Sequence, residues 1–64
     1  MLLNGENKDF KENITVSELL EELKINSDKV VVEVDREIID KNQYSIRKLS
    51  SASEVELIRF VGGG

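Results

Sequence analysis

The run Phe60-Val61-Gly62-Gly63-Gly64 is where this chain concentrates its chemistry. A glycine has no Cβ, so it adopts almost any backbone angle and lets another protein's walls come close. Three extended residues reach roughly 10 Å. A carboxylate on such a tether can enter a partner's narrow tunnel while the folded body stays outside. Gly64 is therefore the candidate reactive group, with Gly62 and Gly63 as its slim tether. The competing reading is a frayed end without a role, since chain ends are commonly poorly ordered.

Little else in the composition can do chemistry. The 64 residues include no cysteine and no histidine. That removes thiolate nucleophiles, disulfides, the commonest metal ligand and the commonest base near neutral pH. The glycines do not lie between a strand and a helix, so they form neither a phosphate loop nor a dinucleotide fingerprint. No acidic run has the spacing of a calcium loop. Thirteen acidic and nine basic residues leave a formal charge of −4. That balance disfavours nucleic acid and anionic membranes as partners and favours a protein with a basic docking face. No apolar run is long enough to span a bilayer, and the start lacks the basic n-region of a signal peptide. The expectation is a small cytosolic protein that is modified by others instead of catalysing a reaction, and that binds no cofactor itself.

The elements that must position the tail follow from local pattern. Met1-Leu2-Leu3 is an apolar run ending at Asn4-Gly5, the strongest two-residue hairpin signal. A returning strand is expected around Lys8 to Glu12, with Phe10 as its inward anchor. Thr15-Val16-Ser17-Glu18 reads as a capping box. Val16, Leu19, Leu20 and Leu23 follow at helical spacing, with glutamates on the opposite face and Lys24 near the end to complement the dipole. Val30 to Val34 is a β-branched strand. Asp35-Arg36 is a turn, and Glu37-Ile38-Ile39 returns from it. Asp40 to Leu49 is mixed, with Tyr44, Ile46 and Leu49 available to cover an edge of the core. Ser50 to Ser53 is a loop, and Glu54 to Val61 is the last strand.

One helix with one apolar stripe covers one sheet face. Alternation puts Val55 and Leu57 beneath the helix and Glu56, Ile58 and Phe60 on the other face. If Met1 and Leu3 point inward, Leu2 joins Ile58 and Phe60. These three form a candidate docking surface beside the tail. Two arrangements compete with it: the segment after Asp40 folds over that face, or a one-residue register shift exchanges the faces.

Over essentially its whole length the chain resembles the ThiS family of sulfur carriers, ubiquitin-like proteins of thiamin biosynthesis. The residues that carry the resemblance are Asn4-Gly5-Glu6, Thr15-Val16-Ser17-Glu18-Leu19-Leu20, Val30 to Val34, and Glu54 through the terminal glycines. Asp35-Arg36 departs from the Asn-Gly common in the family at that hairpin, and Asp40 stands where many members have proline. The resemblance implies an α+β fold, a β-grasp with a mixed sheet of about four to five strands on one main helix. Residues 1–61 would form the domain and 62–64 a flexible tail. It implies that an E1-like adenylyltransferase of the ThiF type, itself binding ATP and Mg²⁺, adenylates Gly64. A persulfide sulfur donor then converts it to a thiocarboxylate, which a thiazole synthase of the ThiG type consumes. The alternatives are the small subunit of molybdopterin synthase, a carrier of another sulfur pathway, or an unmodified β-grasp interaction module.

Overall fold

In a computed structural model, residues 1–60 are described; Val61 and the glycines expected to form the tail lie outside the described residues. Strands β1 (Leu2–Leu3) and β2 (Glu6–Asn7) precede helix α1 (Val16–Glu22), followed by β3 (Val30–Val34), β4 (Glu37–Ile38) and β5 (Glu54–Arg59). The sheet order is β2-β1-β5-β3-β4. β1 runs parallel to β5, and every other neighbouring pair is antiparallel. This mixed five-stranded sheet with one helix is the expected β-grasp. No helix among the described residues is long and apolar enough to cross a membrane.

Asn4 (φ 49°) and Gly5 (φ 83°) both take positive φ, as a type I′ hairpin turn requires. The register is Leu3 with Glu6 and Leu2 with Asn7. The returning strand therefore begins directly after the turn and is Glu6–Asn7, not Lys8 to Glu12. A two-residue turn leaves no room for a later start, and β1 is too short to pair beyond Lys8, whose N–H meets the Met1 carbonyl at 2.9 Å. Phe10 still packs against the core from the loop that follows.

Helix α1 spans only seven residues, too few to be stable alone. Its N-terminus is fully partnered. The Thr15 Oγ1 accepts from the Glu18 N–H at 3.1 Å, and the Glu18 carboxylate accepts from the Thr15 N–H at 2.9 Å. The Val16 and Ser17 N–H groups donate to the carbonyls of Arg47 and Tyr44. The polar stretch after Asp40 is thus the lid of the helix N-terminus. It buries Tyr44 and Leu49, while Ile46 is 62% exposed and does not cover the core.

The helix closes in a Schellman arrangement. Leu23 is the C-cap, Lys24 has φ 59°, its N–H donates to the Glu21 carbonyl, and the Ile25 N–H donates to the Leu20 carbonyl. Lys24 therefore stands just beyond the helix, in a backbone region that favours glycine. Asp35 (φ 51°) and Arg36 (φ 70°) likewise make a left-handed pair joining β3 to β4. The backbone there has the conformation that Asn-Gly would adopt with less strain.

Val16, Leu19 and Leu20 pack with Leu3, Val30, Val32, Val34, Val55 and Leu57 in one apolar core, against which Leu23 is partly buried. Strand β3 alternates buried and half-buried along its length, so the inward faces of β1, β3 and β5 lie under the helix.

Two changes probe this packing. Leu20→Ala lowers the unfolding free energy in urea by about 2–5 kcal/mol, a large share of the roughly 5 kcal/mol expected of so small a domain. Lys24→Gly raises it by about 1 kcal/mol through relief of the left-handed strain; no gain would contradict the observed cap geometry.

The capping box also carries a pH signature. The Thr15 N–H, and next the Lys11 ammonium 3.3 Å away, hold the Glu18 carboxyl below its ordinary pKa. The folded state thus favours the ionised form. That stabilisation is complete above the ordinary glutamate range and disappears as pH falls through the lowered value. The stability difference between the parent and Glu18→Gln accordingly shrinks on acidification through this window in urea titrations. A constant difference would contradict the assignment.

Candidate functional site

The site is organised by β5, the middle strand, whose far end leads toward the glycines. Five residue pairs join it to β3, from Val30 with Arg59 to Val34 with Val55. Beyond its last residue, the Phe60 N–H still donates to the Lys29 carbonyl at 3.3 Å. On its other side β1 supplies only Leu2 and Leu3.

Two side chains complete the strand's pairing. The Asn4 Oδ1 accepts from the Leu57 N–H at 2.7 Å, while the Asn4 N–H donates to the Val55 carbonyl at 2.9 Å. Asn4 therefore acts as one more rung of the parallel ladder. At the start of β5, the Asp35 Oδ1 accepts from the Glu54 N–H at 3.0 Å, and the Asp35 N–H donates to the Glu54 carbonyl at 2.8 Å. Both are hairpin-turn residues, and each turn conformation aims a side-chain oxygen at the central strand. Asn4 was visible in the sequence as a turn former. The second role, across 53 residues of chain, had no local signal.

The expected alternation of β5 is present: Val55 and Leu57 are buried, while Ile58 and Phe60 are 45% and 49% exposed. Met1 and Leu3 point into the core, so Leu2 lies on the open face and is half-buried. Leu2 is nevertheless in register with Glu54, not with Ile58. Those positions are four steps apart along β5, roughly 13 Å. The structure therefore brings Ile58 and Phe60 to the tail end of the face and places Leu2 at the opposite end. The immediate neighbour of Ile58 is Val31, its cross-strand partner, which sequence reading did not single out. Ile38, 69% exposed on the edge strand, is paired with Glu33 on the same face. The segment after Asp40 packs on the helix N-terminus and leaves these residues open. Gly62, Gly63 and Gly64 lie outside the described residues.

Among the described residues, no group of acidic side chains is gathered closely enough to hold a metal ion. The described site is thus a surface: an open sheet face whose middle strand leads to the glycines.

Removing the Asn4 rung tests this arrangement. Asn4→Gly keeps the turn conformation, leaves the Leu57 N–H without its acceptor and destabilises by about 1–3 kcal/mol. Amide exchange at Leu57 accelerates more than at Val32; equal protection in parent and variant would contradict the clamp.

The comparisons agree with the geometry. The ThiS family model matches residues 1–64. The sulfur carrier protein ThiS of Bacillus subtilis is 35% identical over 63 residues, covering 97% of this chain and 96% of that protein. A thiazole synthase of Paramagnetospirillum magneticum is 38% identical over 64 residues; the match takes in all of this chain but only 20% of that longer protein. The crystal structure of the thiamine biosynthesis protein ThiS from Geobacter metallireducens superposes with a TM-score of 0.78 at 31% identity. That superposition covers 97% of this chain and 94% of the Geobacter chain. From its fold and its full-length match, this chain belongs to the ThiS family.

Proposed function

We infer that this protein is a sulfur carrier of thiamine biosynthesis that works as a protein co-substrate, with the Gly64 carboxylate as the group that others modify. The observation that carries this reading is the full-length family match to a chain in which three glycines follow the middle strand in sequence after Phe60 and Val61.

The chemistry follows from the poor electrophilicity of a carboxylate. An E1-like adenylyltransferase, holding ATP and Mg²⁺, directs a Gly64 carboxylate oxygen onto the α-phosphorus. Pyrophosphate leaves, and an acyl-adenylate forms. The terminal sulfur of a cysteine persulfide attacks the acyl carbon and expels AMP. A thiol then cleaves the resulting acyl disulfide to leave the thiocarboxylate. This chain contributes no acid or base to these steps. Its part is to dock and to present the carbonyl carbon on a slender tether formed by Gly62 and Gly63. Ile58 and Phe60, exposed beside the exit, form the docking surface, with Leu2 touching the partner further along the same face.

A thiazole synthase is the proposed acceptor of the sulfur. In the Paramagnetospirillum protein of that name, a segment similar to this whole chain belongs to a longer polypeptide, which supports a working association between carrier and synthase. The proposed setting is the cytoplasm, where ATP and persulfide donors are available.

Intact-mass analysis after incubation with ATP, Mg²⁺, the adenylyltransferase and a persulfide donor tests the reading. One oxygen is replaced by sulfur, and fragmentation places the change at Gly64. Removing Gly63 and Gly64 abolishes the product without unfolding the protein, because the described core is complete by Leu57. Sulfur at another residue, or full activity of the truncated chain, would overturn the proposal.

A further inference from the structure

The first hairpin turn holds a reactive pair of groups as well as a hydrogen-bonding one. Asn4 is the asparagine of this chain that precedes a glycine; Asn7, Asn13, Asn26 and Asn42 all precede residues with a Cβ. A Cβ on the following residue hinders approach of its nitrogen to the asparagine side-chain carbonyl, and glycine offers no such obstacle. Space around Gly5 is open: a Cβ built there would meet nothing within 4 Å. Among the described backbone hydrogen bonds, none engages the Gly5 N–H. Both residues are exposed and border an open depression of about 310 Å³, so water reaches them. One contact opposes a reaction between them. The Asn4 side chain is turned onto β5, where its Oδ1 accepts from the Leu57 N–H at 2.7 Å.

We propose that Asn4 is a covalent modification site, deamidated through a cyclic imide with Gly5, and that its hydrogen bond from Leu57 gates the reaction. The Gly5 nitrogen, its proton passed to a solvent base, attacks the Asn4 Cγ. A nitrogen–carbon bond forms, the Cγ–Nδ2 bond breaks, and ammonia leaves with a proton taken from water. Water then opens the imide at either carbonyl. Opening at the side-chain carbonyl gives aspartate. Opening at the main-chain carbonyl gives isoaspartate, in which the chain runs through the Cβ. The sum is one water consumed and one ammonia released, with no redox change. Ring closure brings the Cγ to the Gly5 nitrogen and draws the side chain off Leu57, so the step proceeds from molecules in which that rung is open. The two products then differ. Aspartate tolerates the left-handed φ of 49° at this position and keeps an oxygen that accepts from the Leu57 N–H. Isoaspartate adds a backbone atom to a two-residue turn whose geometry sets the strand register, and the acceptor leaves its place. The turn that holds β5 in register thus carries its own route to release.

To test this, the full folded chain is incubated in mildly alkaline buffer. Ion exchange follows the added negative charge, peptide mapping locates it, and amide exchange reports opening at Leu57. Asn4 loses ammonia before any other asparagine, about tenfold or more slowly than in the same chain unfolded in guanidinium chloride. At guanidinium concentrations below the unfolding transition, the Asn4 rate rises in proportion to Leu57 amide exchange. The purified isoaspartate form exchanges its Leu57 amide faster than the parent, whereas Asn4→Asp keeps the parent's protection there. Gly5→Ala slows the reaction in the unfolded chain as well, because the added Cβ acts without the fold. Equal rates in folded and unfolded parent, a first reaction at another asparagine, or parent-like Leu57 protection in the isoaspartate form would each overturn the proposal. None of these readouts depends on sulfur transfer.

Discussion

The structure depends on the pairing of one strand on both flanks. β5 lies between a parallel neighbour of two residues and an antiparallel neighbour of five. On the β1 side the ladder would stop too early, and the Asn4 side chain extends it by one rung. At the other end, Asp35 fixes the first residue of the strand. A buried or half-buried N–H without a partner is costly to leave, so the two hairpin turns do more than reverse the chain. They hold in register the strand on which the candidate chemistry depends. The strained left-handed backbone at Asn4, Asp35 and Arg36 is coherent in this light, because the turn conformation is what aims the two side-chain oxygens.

The second constraint is geometric. One short helix can cover only one face of a five-stranded sheet. The apolar stripe of Val16, Leu19 and Leu20 is spent on the inward faces of β1, β3 and β5, which leaves Val31, Ile58 and Ile38 on the other side. A chain of this size does not gain stability from exposed isoleucine and phenylalanine. Their position on the strand leading to the glycines makes sense if another protein covers them.

Much of this was readable in the residues themselves. The helix announced itself through the Thr15–Glu18 box and the periodic leucines, and strand β3 through its run of valines. The alternation along β5 correctly separated Val55 and Leu57 from Ile58 and Phe60, because period-two patterns depend only on local geometry. What escaped was long-range. The returning strand lies at Glu6–Asn7, earlier than its residue types suggest, since its start is set by the Asn4-Gly5 turn and its end by the shortness of β1. The role of the stretch after Asp40 is hidden because it is made by backbone carbonyls that carry no residue-type signal; Ile46, in the same stretch, is apolar yet exposed. Leu2 shares a face with Ile58 but not a neighbourhood, a matter of parallel register that no single segment encodes. Lys24 and Arg36 occupy left-handed positions that composition alone would have given to glycine.

The central claim is that the folded body serves to present the Gly64 carbonyl carbon to another protein's active site. The most direct measurement is isotope exchange between pyrophosphate and ATP catalysed by the adenylyltransferase, with this chain supplied as the only acyl acceptor of AMP. The account predicts exchange that requires the chain and vanishes when Gly64 is removed. Exchange that continues undiminished with the shortened chain, or that never depends on the chain at all, would contradict it.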